Sequence, residues 1–423
     1  MQTQDKQFKK DVIWNAISST TNGMINMIIS FFVINFVGSD IGGIFGFGFS
    51  TLGQQVFILS YFGIRIFQVI DIAYKYDFNT YRKHRMLTFV LSLAFILCYV
   101  ISYLKIGIYN TEKCLMLGLI CLFKAIEGIF DVYECELQRK HKLYLACQFN
   151  FARVLISTIA LLTCMYILGR AGTSGIVISL IVFIIVQVAF GCIFLLAKKE
   201  YFATEDNISQ NIDNTGLKLK HLTIEVLPIF LATFLDFWIF SLPKYALDVF
   251  TDNHTVGIFT ILFMPATLMY LFVNFFLRPY LSTLADYEKE KNVDGFNKVS
   301  RRMYLISFGI AIAGFVSVVT IGKPVLGLID MFTAYRYSSV LEVSIPLLLL
   351  IILGGLIYTL VNVRYSILAI KNKQKPMLYC YIVCLILGIL IAWQLVMRFQ
   401  MYGAALSFIS IMLILLGMLF MVK

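Results

Sequence analysis

Two arginines, with amides, hydroxyls and phenols around them, recur at helical spacing inside otherwise apolar runs. Asn15, Ser18, Asn22 and Asn26 form one series; Gln54, Tyr61, Arg65 and Gln68 form a second; Thr267, Tyr270, Asn274 and Arg278 form a third. Steps of three and four, or their sum, put each series on one face of a helix. A guanidinium is a planar fork of donors that matches phosphate oxygens better than a point-like ammonium does. The chemistry these stripes predict is recognition of a phosphate-bearing anion. Bond-making is not predicted: no nucleophile is placed beside a base, and neither metal-ligand spacing nor a Walker motif occurs, so neither cofactor nor metal is expected.

A fourth series is richer in charge. Lys124, Glu127, Asp131 and Glu134 follow at steps of three and four, and Arg153 stands in the next apolar run. Two readings stay open: a structural ion network whose charges neutralise one another, or a relay for protons or cations. The arginines are also open, between substrate contact and snorkelling to an interface. For Ser, Thr and Asn alone, hydrogen bonding between helices competes with substrate contact. Asp236, Glu342 and Arg364 have no evident partner, and Asp71 is expected to cap a helix end.

The elements that hold these residues follow from composition. Of 423 residues, 60% are hydrophobic and 14% charged, against about 25% charged in soluble domains. So few charges cannot cover that much apolar surface in water, which excludes soluble enzymes and nucleic-acid binders. Each membrane crossing needs about 20 apolar residues. Twelve segments qualify, at 12–37, 42–70, 86–106, 114–134, 144–168, 175–197, 222–242, 256–284, 303–321, 340–365, 377–397 and 402–422. The apolar runs are continuous, so the spans are helices, not barrel strands. The first is too long for a signal-peptide core and is expected to stay as an anchor. All nine cysteines are read as free thiols. The prolines all lie in the second half, which is therefore expected to hold the more bent helices.

Lys and Arg orient the spans. Gaps on one side of the membrane, with both tails, hold 23 of them and the opposite gaps seven. Basic residues stay on the cytoplasmic side, so both termini are expected there, in the cytoplasmic membrane of a bacterium. Residues 198–221 read as a cytoplasmic linker between a first lobe, 1–197, and a second, 222–423. A duplication supports the halves. Gly43-Ile44-Phe45 and Arg65 recur as Gly257-Ile258-Phe259 and Arg278; Phe78-Asn79 with Arg85-Met86 recurs as Phe296-Asn297 with Arg302-Met303. Six spans is an even number, so the copies insert in parallel. The fold class expected is an all-α integral membrane protein, two six-helix lobes with pseudo-two-fold symmetry around a central cavity. Such repeats point to a transporter with its site near the midplane.

The runs Tyr61–Val69, Pro243-Lys244-Tyr245-Ala246, Met264-Pro265-Ala266 and Arg278-Pro279, with the repeated motifs, carry a family resemblance. Over nearly its whole length the chain resembles the Wzx-type polysaccharide flippases of the multidrug/oligosaccharidyl-lipid/polysaccharide exporter (MOP) superfamily. The resemblance implies movement of undecaprenyl-pyrophosphate-linked oligosaccharides, as in O-antigen or capsule assembly, from inner to outer leaflet. It implies membrane lipids, Na+ or H+ and a polysaccharide polymerase machinery as partners. Arg65 and Arg278 stand where arginines of the related lipid II flippases bear on substrate binding. With them, Asn22, Asn26, Gln54, Tyr61, Gln68, Tyr270 and Asn274 are the expected substrate contacts. Lipid II flippases carry two further helices, which favours the repeat-unit branch here.

Two rivals remain. A multidrug exporter of the same superfamily typically carries a carboxylate in the first span, and residues 12–37 contain none. A membrane glycan polymerase or ligase usually builds its active site on a large external loop, whereas the external gaps read here are short.

Overall fold

The computed structural model describes residues 2–70, 75–169, 172–202, 215–334, 336–337, 344–371 and 373–422. Among these, every regular element is helical. The chain divides into two compact units, Met1–Phe234 and Leu235–Lys423.

Unit 1 opens with α1 (Gln2–Val37). The second span is made of pieces: α2 (Ser39–Phe47), a π-helical turn (Gly48–Leu52), α3 (Gly53–Tyr61) and α4 (Ile64–Ile70). It breaks at Phe62 and Gly63, both left-handed, with φ of 50° and 68°. Glycine takes that conformation without steric cost. The unit continues with α5 (Phe78–Ile106), α6 (Thr111–Arg139), α7 (Leu143–Leu168) and α8 (Thr173–Ala197). At its hub lies α6, which packs against α2, α3, α4, α5, α7 and α8. Its ends are well determined. The Asn110 side chain accepts the Lys113 N–H at 2.8 Å, and Glu112 and Arg139 complement the helix dipole at opposite ends.

The boundary between units falls inside α9 (Thr215–Phe250), whose first part belongs to unit 1. Unit 2 adds α10 (Asn253–Lys289), α11 (Val293–Phe332), α12 (Ile345–Ile370) and α13 (Gln374–Met421). Here α12 is the hub, packed on α10, α11 and α13. Gln400 leaves helical geometry at φ 47°, ψ −123° and divides α13 into two arms. Cys384 donates towards the Ile411 carbonyl and Cys380 towards that of Met418, so the arms run antiparallel.

Among the described residues ten helices are long and apolar enough to cross a membrane, and the chain is a multi-pass membrane protein. The other segments a twelve-span reading needs are the second arm of α13 and α6, whose 29 residues carry many charges. Several helices outrun the expected spans. The 40 residues of α11 reach about 60 Å at 1.5 Å per residue, roughly twice the hydrocarbon core. Lys244 and Lys323, read from the sequence as loop charges, consequently lie within α9 and α11. Five prolines of the second half, Pro228, Pro243, Pro265, Pro279 and Pro324, sit in helices that run on through them. A left-handed break also falls in the first half, within the second expected span, at Phe62-Gly63. Asp71 and Glu342 lie outside the described residues, and all nine cysteines are free thiols.

Candidate functional site

The polar faces of α1, α4, α5, α6 and α7 meet inside unit 1. Asp131 on α6 is the centre of the group. One of its oxygens takes Arg65 Nη1 at 2.6 Å and the other takes Arg85 Nη2 at 2.7 Å. Arg65 reaches on to Glu134 at 3.8 Å and to Gln138 at 3.4 Å. Arg153 of α7 meets Glu134 at 3.3 Å and the Asn150 amide oxygen at 3.1 Å. Two turns before Asp131, Lys124 pairs with Glu127 at 2.9 Å and donates to Asn26 Oδ1 at 3.4 Å. Its ammonium also lies 4.2 Å from the centre of the Phe49 ring.

Arg85 has a second task. Its Nη1 donates to the Ser60 carbonyl at 3.0 Å and to that of Tyr61, and Thr88 Oγ1 also donates to Ser60 O, at 2.8 Å. Those carbonyls end α3 at the break, where no further helical N–H can reach them. In hydrocarbon each would be costly unpaired. The third span thus caps the broken second span, and the capping cation is itself neutralised by Asp131.

A charge count across the cluster singles out one group. Glu127, Asp131 and Glu134 are buried carboxylates, and Lys124, Arg85 and Arg153 are buried cations. These six balance. Arg65 is then the surplus positive charge, and its side chain is 35% exposed while that of Arg85 is 1% exposed. A half-exposed guanidinium with N–H groups beyond those already paired can take an anion. Beyond this cluster, Glu136 pairs with Arg139 at 2.7 Å and accepts from Gln68 Nε2 at 3.4 Å.

The expected substrate residues divide by position. Asn26 donates to the Asn22 carbonyl and amide oxygens, at 2.8 and 3.0 Å, so the α1 amides join the Lys124 side of the cluster. Tyr61 lies beneath the Arg85 guanidinium, 5.4 Å from ring to cation. Gln68 is buried and donates to the Val132 carbonyl at 3.0 Å, and Gln54 is half-buried on α3. In unit 2, the Tyr270 ring lies 5.0 Å from that of Tyr358, whose hydroxyl donates to Asp236 at 2.6 Å. Arg364 donates to the Leu419 and Val422 carbonyls and closes the end of α13. The Asn274 and Arg278 side chains lie outside those described.

Sequence reasoning missed Arg85, which it counted only as a repeated motif and a loop charge. It also missed that Arg65 meets its acid across helices, because the search for partners looked one turn away on the same helix.

No protein-family model matches the chain. Over 359 residues, 83% of each chain, it is 22% identical to the capsular polysaccharide biosynthesis protein CapF of Staphylococcus aureus. The eukaryotic MATE transporter AtDTX14 superposes with a TM-score of 0.67, 13% identity and coverage of 98% of this chain and 95% of that one. The lipid II flippase MurJ, in an inward closed conformation, gives a TM-score of 0.64 at 12% identity, covering 97% and 87%. The chain has the MOP-superfamily fold.

Within this MOP fold the two repeats have diverged at one instructive place. Gly43 and Gly257 are each the fifth residue of a helix, α2 and α10, so the repeated motif is matched in position. The first copy then breaks at Phe62-Gly63, and Arg85 is buried to cap it. The second copy, α10, is unbroken to Lys289, and Arg302, the counterpart of Arg85, is exposed. The second copy has no left-handed break for its arginine to cap.

Proposed function

We propose that this MOP-fold chain is a flippase that moves undecaprenyl-pyrophosphate-linked oligosaccharide repeat units across the bacterial cytoplasmic membrane by alternating access, for surface polysaccharide biosynthesis. The observation that carries this reading is double likeness: in sequence to a capsular polysaccharide biosynthesis protein, and in fold to a lipid II flippase. The site chemistry agrees. Arg65 is the surplus cation of a cluster whose other charges balance, and a pyrophosphate is the anion its fork suits. Arg278 is the proposed second contact, with Asn22, Asn26, Gln54, Tyr61, Gln68, Tyr270 and Asn274 around the headgroup and sugars. The Lys124, Glu127, Asp131, Glu134 and Arg153 pairs form the scaffold that aims Arg65. No covalent step is needed, so the chain is proposed not to be an enzyme. A Na+ or H+ gradient, or consumption of the flipped glycan by polymerase machinery, gives direction. Both termini lie in the cytoplasm, following the Lys and Arg bias.

The rival is a multidrug exporter, favoured by the MATE neighbour. A cationic drug needs an uncompensated carboxylate. In unit 1, Glu127, Asp131 and Glu134 of α6 each lie within 3.3 Å of a cationic nitrogen; Asp236 of unit 2, which accepts from the Tyr358 hydroxyl at 2.6 Å, is the carboxylate that reading would use. Leaflet accessibility of a lipid-linked oligosaccharide in proteoliposomes separates the two. Protein-dependent flipping is expected; drug exchange with no flipping of any lipid-linked glycan overturns the proposal.

A further inference from the structure

The second span of unit 1 is enclosed on all but one line of side chains. From Gly42 to Arg65 every residue is buried except Ser50, Gln54, Phe57, Tyr61 and Arg65, which follow at steps of four, three, four and four. That spacing keeps the line to one side of the helix, and Arg65 continues it past the Phe62-Gly63 break. A line holding a serine, an amide and a guanidinium cannot lie against hydrocarbon, so it fronts a hydrated space.

Phe57 is out of place on such a face. Its ring lies 5.7 Å from that of Tyr61, tilted by 32°, and Tyr61 is itself held under the Arg85 guanidinium. Apolar surface left in water costs free energy until something covers it. One turn before Phe57, Gln54 is half-buried, and its amide makes no hydrogen bond among the described residues. The neighbouring Gln55, by contrast, is buried and donates to the Phe234 carbonyl at 3.1 Å. An idle amide offers two donors and an acceptor.

A sugar ring is the ligand that uses both. Its C–H face packs on the negative face of an aromatic ring, while the hydroxyls at its rim both give and accept hydrogen bonds. Neither Phe57 nor Gln54 carries charge, so neither competes with Arg65 for a phosphate. Gln54 to Tyr61 covers about 10 Å at 1.5 Å per residue, the reach of roughly two sugars. We propose that Phe57 is the stacking platform for the first sugars of the lipid-linked glycan. The pyrophosphate sits on Arg65, and the glycan extends from it along α3, over Tyr61 and Phe57, to the Gln54 amide. This placement rests on the flippase reading and adds to it a residue, Phe57, and a direction for the glycan.

Native mass spectrometry of the full chain tests it with two probes, undecaprenyl pyrophosphate and the same lipid carrying a disaccharide. The wild type is expected to retain the disaccharide lipid more strongly. Phe57→Leu keeps apolar bulk without a π face and should lower retention of the disaccharide lipid about fivefold relative to the bare one. Phe57→Tyr keeps the ring and should keep the preference, while Gln54→Leu should lower it. Arg65→Ala should weaken both lipids. Equal retention of the two lipids by the wild type overturns the placement. So does an equal loss of both in Phe57→Leu, which would make the ring a support for Arg65, and so does full preference in both Phe57→Leu and Gln54→Leu. Retention of neither lipid by the wild type would overturn the flippase reading, and this placement with it.

Discussion

Arg85 and Asp131 meet at 2.7 Å across 46 residues of chain, and the same carboxylate holds Arg65 at 2.6 Å. One acid therefore serves two arginines with different tasks. Arg85 is enclosed and closes a broken helix; Arg65 keeps one side open. Fixing Arg65 through Asp131 costs it little freedom and orients the rest of its fork.

Removing Asp131 should be severe. Asp131→Asn leaves Arg85 buried beside a neutral amide, and breaking a buried pair from one side typically costs about 3–5 kcal/mol. Thermal unfolding in detergent should show that loss, with a comparable one for Arg85→Met. A small change in both would mean that water enters the cluster and solvates it.

Arg65→Ala should separate function from folding. Its side chain is 35% exposed, so its contribution to stability is about 1 kcal/mol or less once solvent screening is allowed for. Loss of charge-assisted hydrogen bonds to a phosphate should lower flipping about 10- to 100-fold. Arg65→Lys keeps the charge without the fork and should recover only part. If Arg65→Ala unfolds the protein as Arg85→Met does, Arg65 is structural.

Gly128 on α6 should tolerate no side chain. A β-carbon there would lie 2.2 Å from Ser60 Oγ and 2.8 Å from Ser60 Cβ. Gly128→Ala must push α3 away, which also stretches the Ser60 Oγ bond to the Ala125 carbonyl, now 3.0 Å. Overpacking of this kind typically costs about 1–3 kcal/mol. Adding Ser60→Gly to Gly128→Ala should restore part of that stability; no recovery would place the strain elsewhere.

The contact of α9 with the rest of unit 1 has a polar part and an aromatic part. Lys75 pairs with Glu225 at 2.6 Å, and Tyr76 Oη meets both His221 and Glu225. Phe62 stacks on Phe230 with centroids 3.9 Å apart, both buried. The ion pair is largely exposed and screened by solvent, so a Lys75/Glu225 double-mutant cycle should show little or no coupling. Phe230→Ala should cost about 3–5 kcal/mol. The reverse ranking would mean that the polar contacts hold this end of α9.

Much of this protein is legible without coordinates, for a physical reason. Lipid leaves the backbone no partner but itself, so an apolar run of sufficient length must be helical, and its ends can be read from hydropathy. Near residue 400 the reading holds to a few residues: spans expected to end at 397 and restart at 402 flank Gln400. The charged series on α6 was legible as a face because its spacing is helical. Its neutralising partners were not. Arg65, Arg85 and Arg153 arrive from three other helices, and periodicity along one helix says nothing of what a neighbour brings.

By itself, then, the sequence determined that the chain lies in the membrane, that it is helical, and which residues are too polar to face lipid. Hydrophobic length, charge bias and helical period decide those matters locally. Only the tertiary structure decided which polar residues satisfy one another and which is left over. Packing put α6 at the hub of unit 1, broke the second span at Phe62-Gly63 and drew Arg85 inside to cap it. Ion pairing falls off steeply with distance, so the difference between the enclosed Arg85 and the open Arg65 depends on ångström-scale contacts between helices that sequence spacing does not encode.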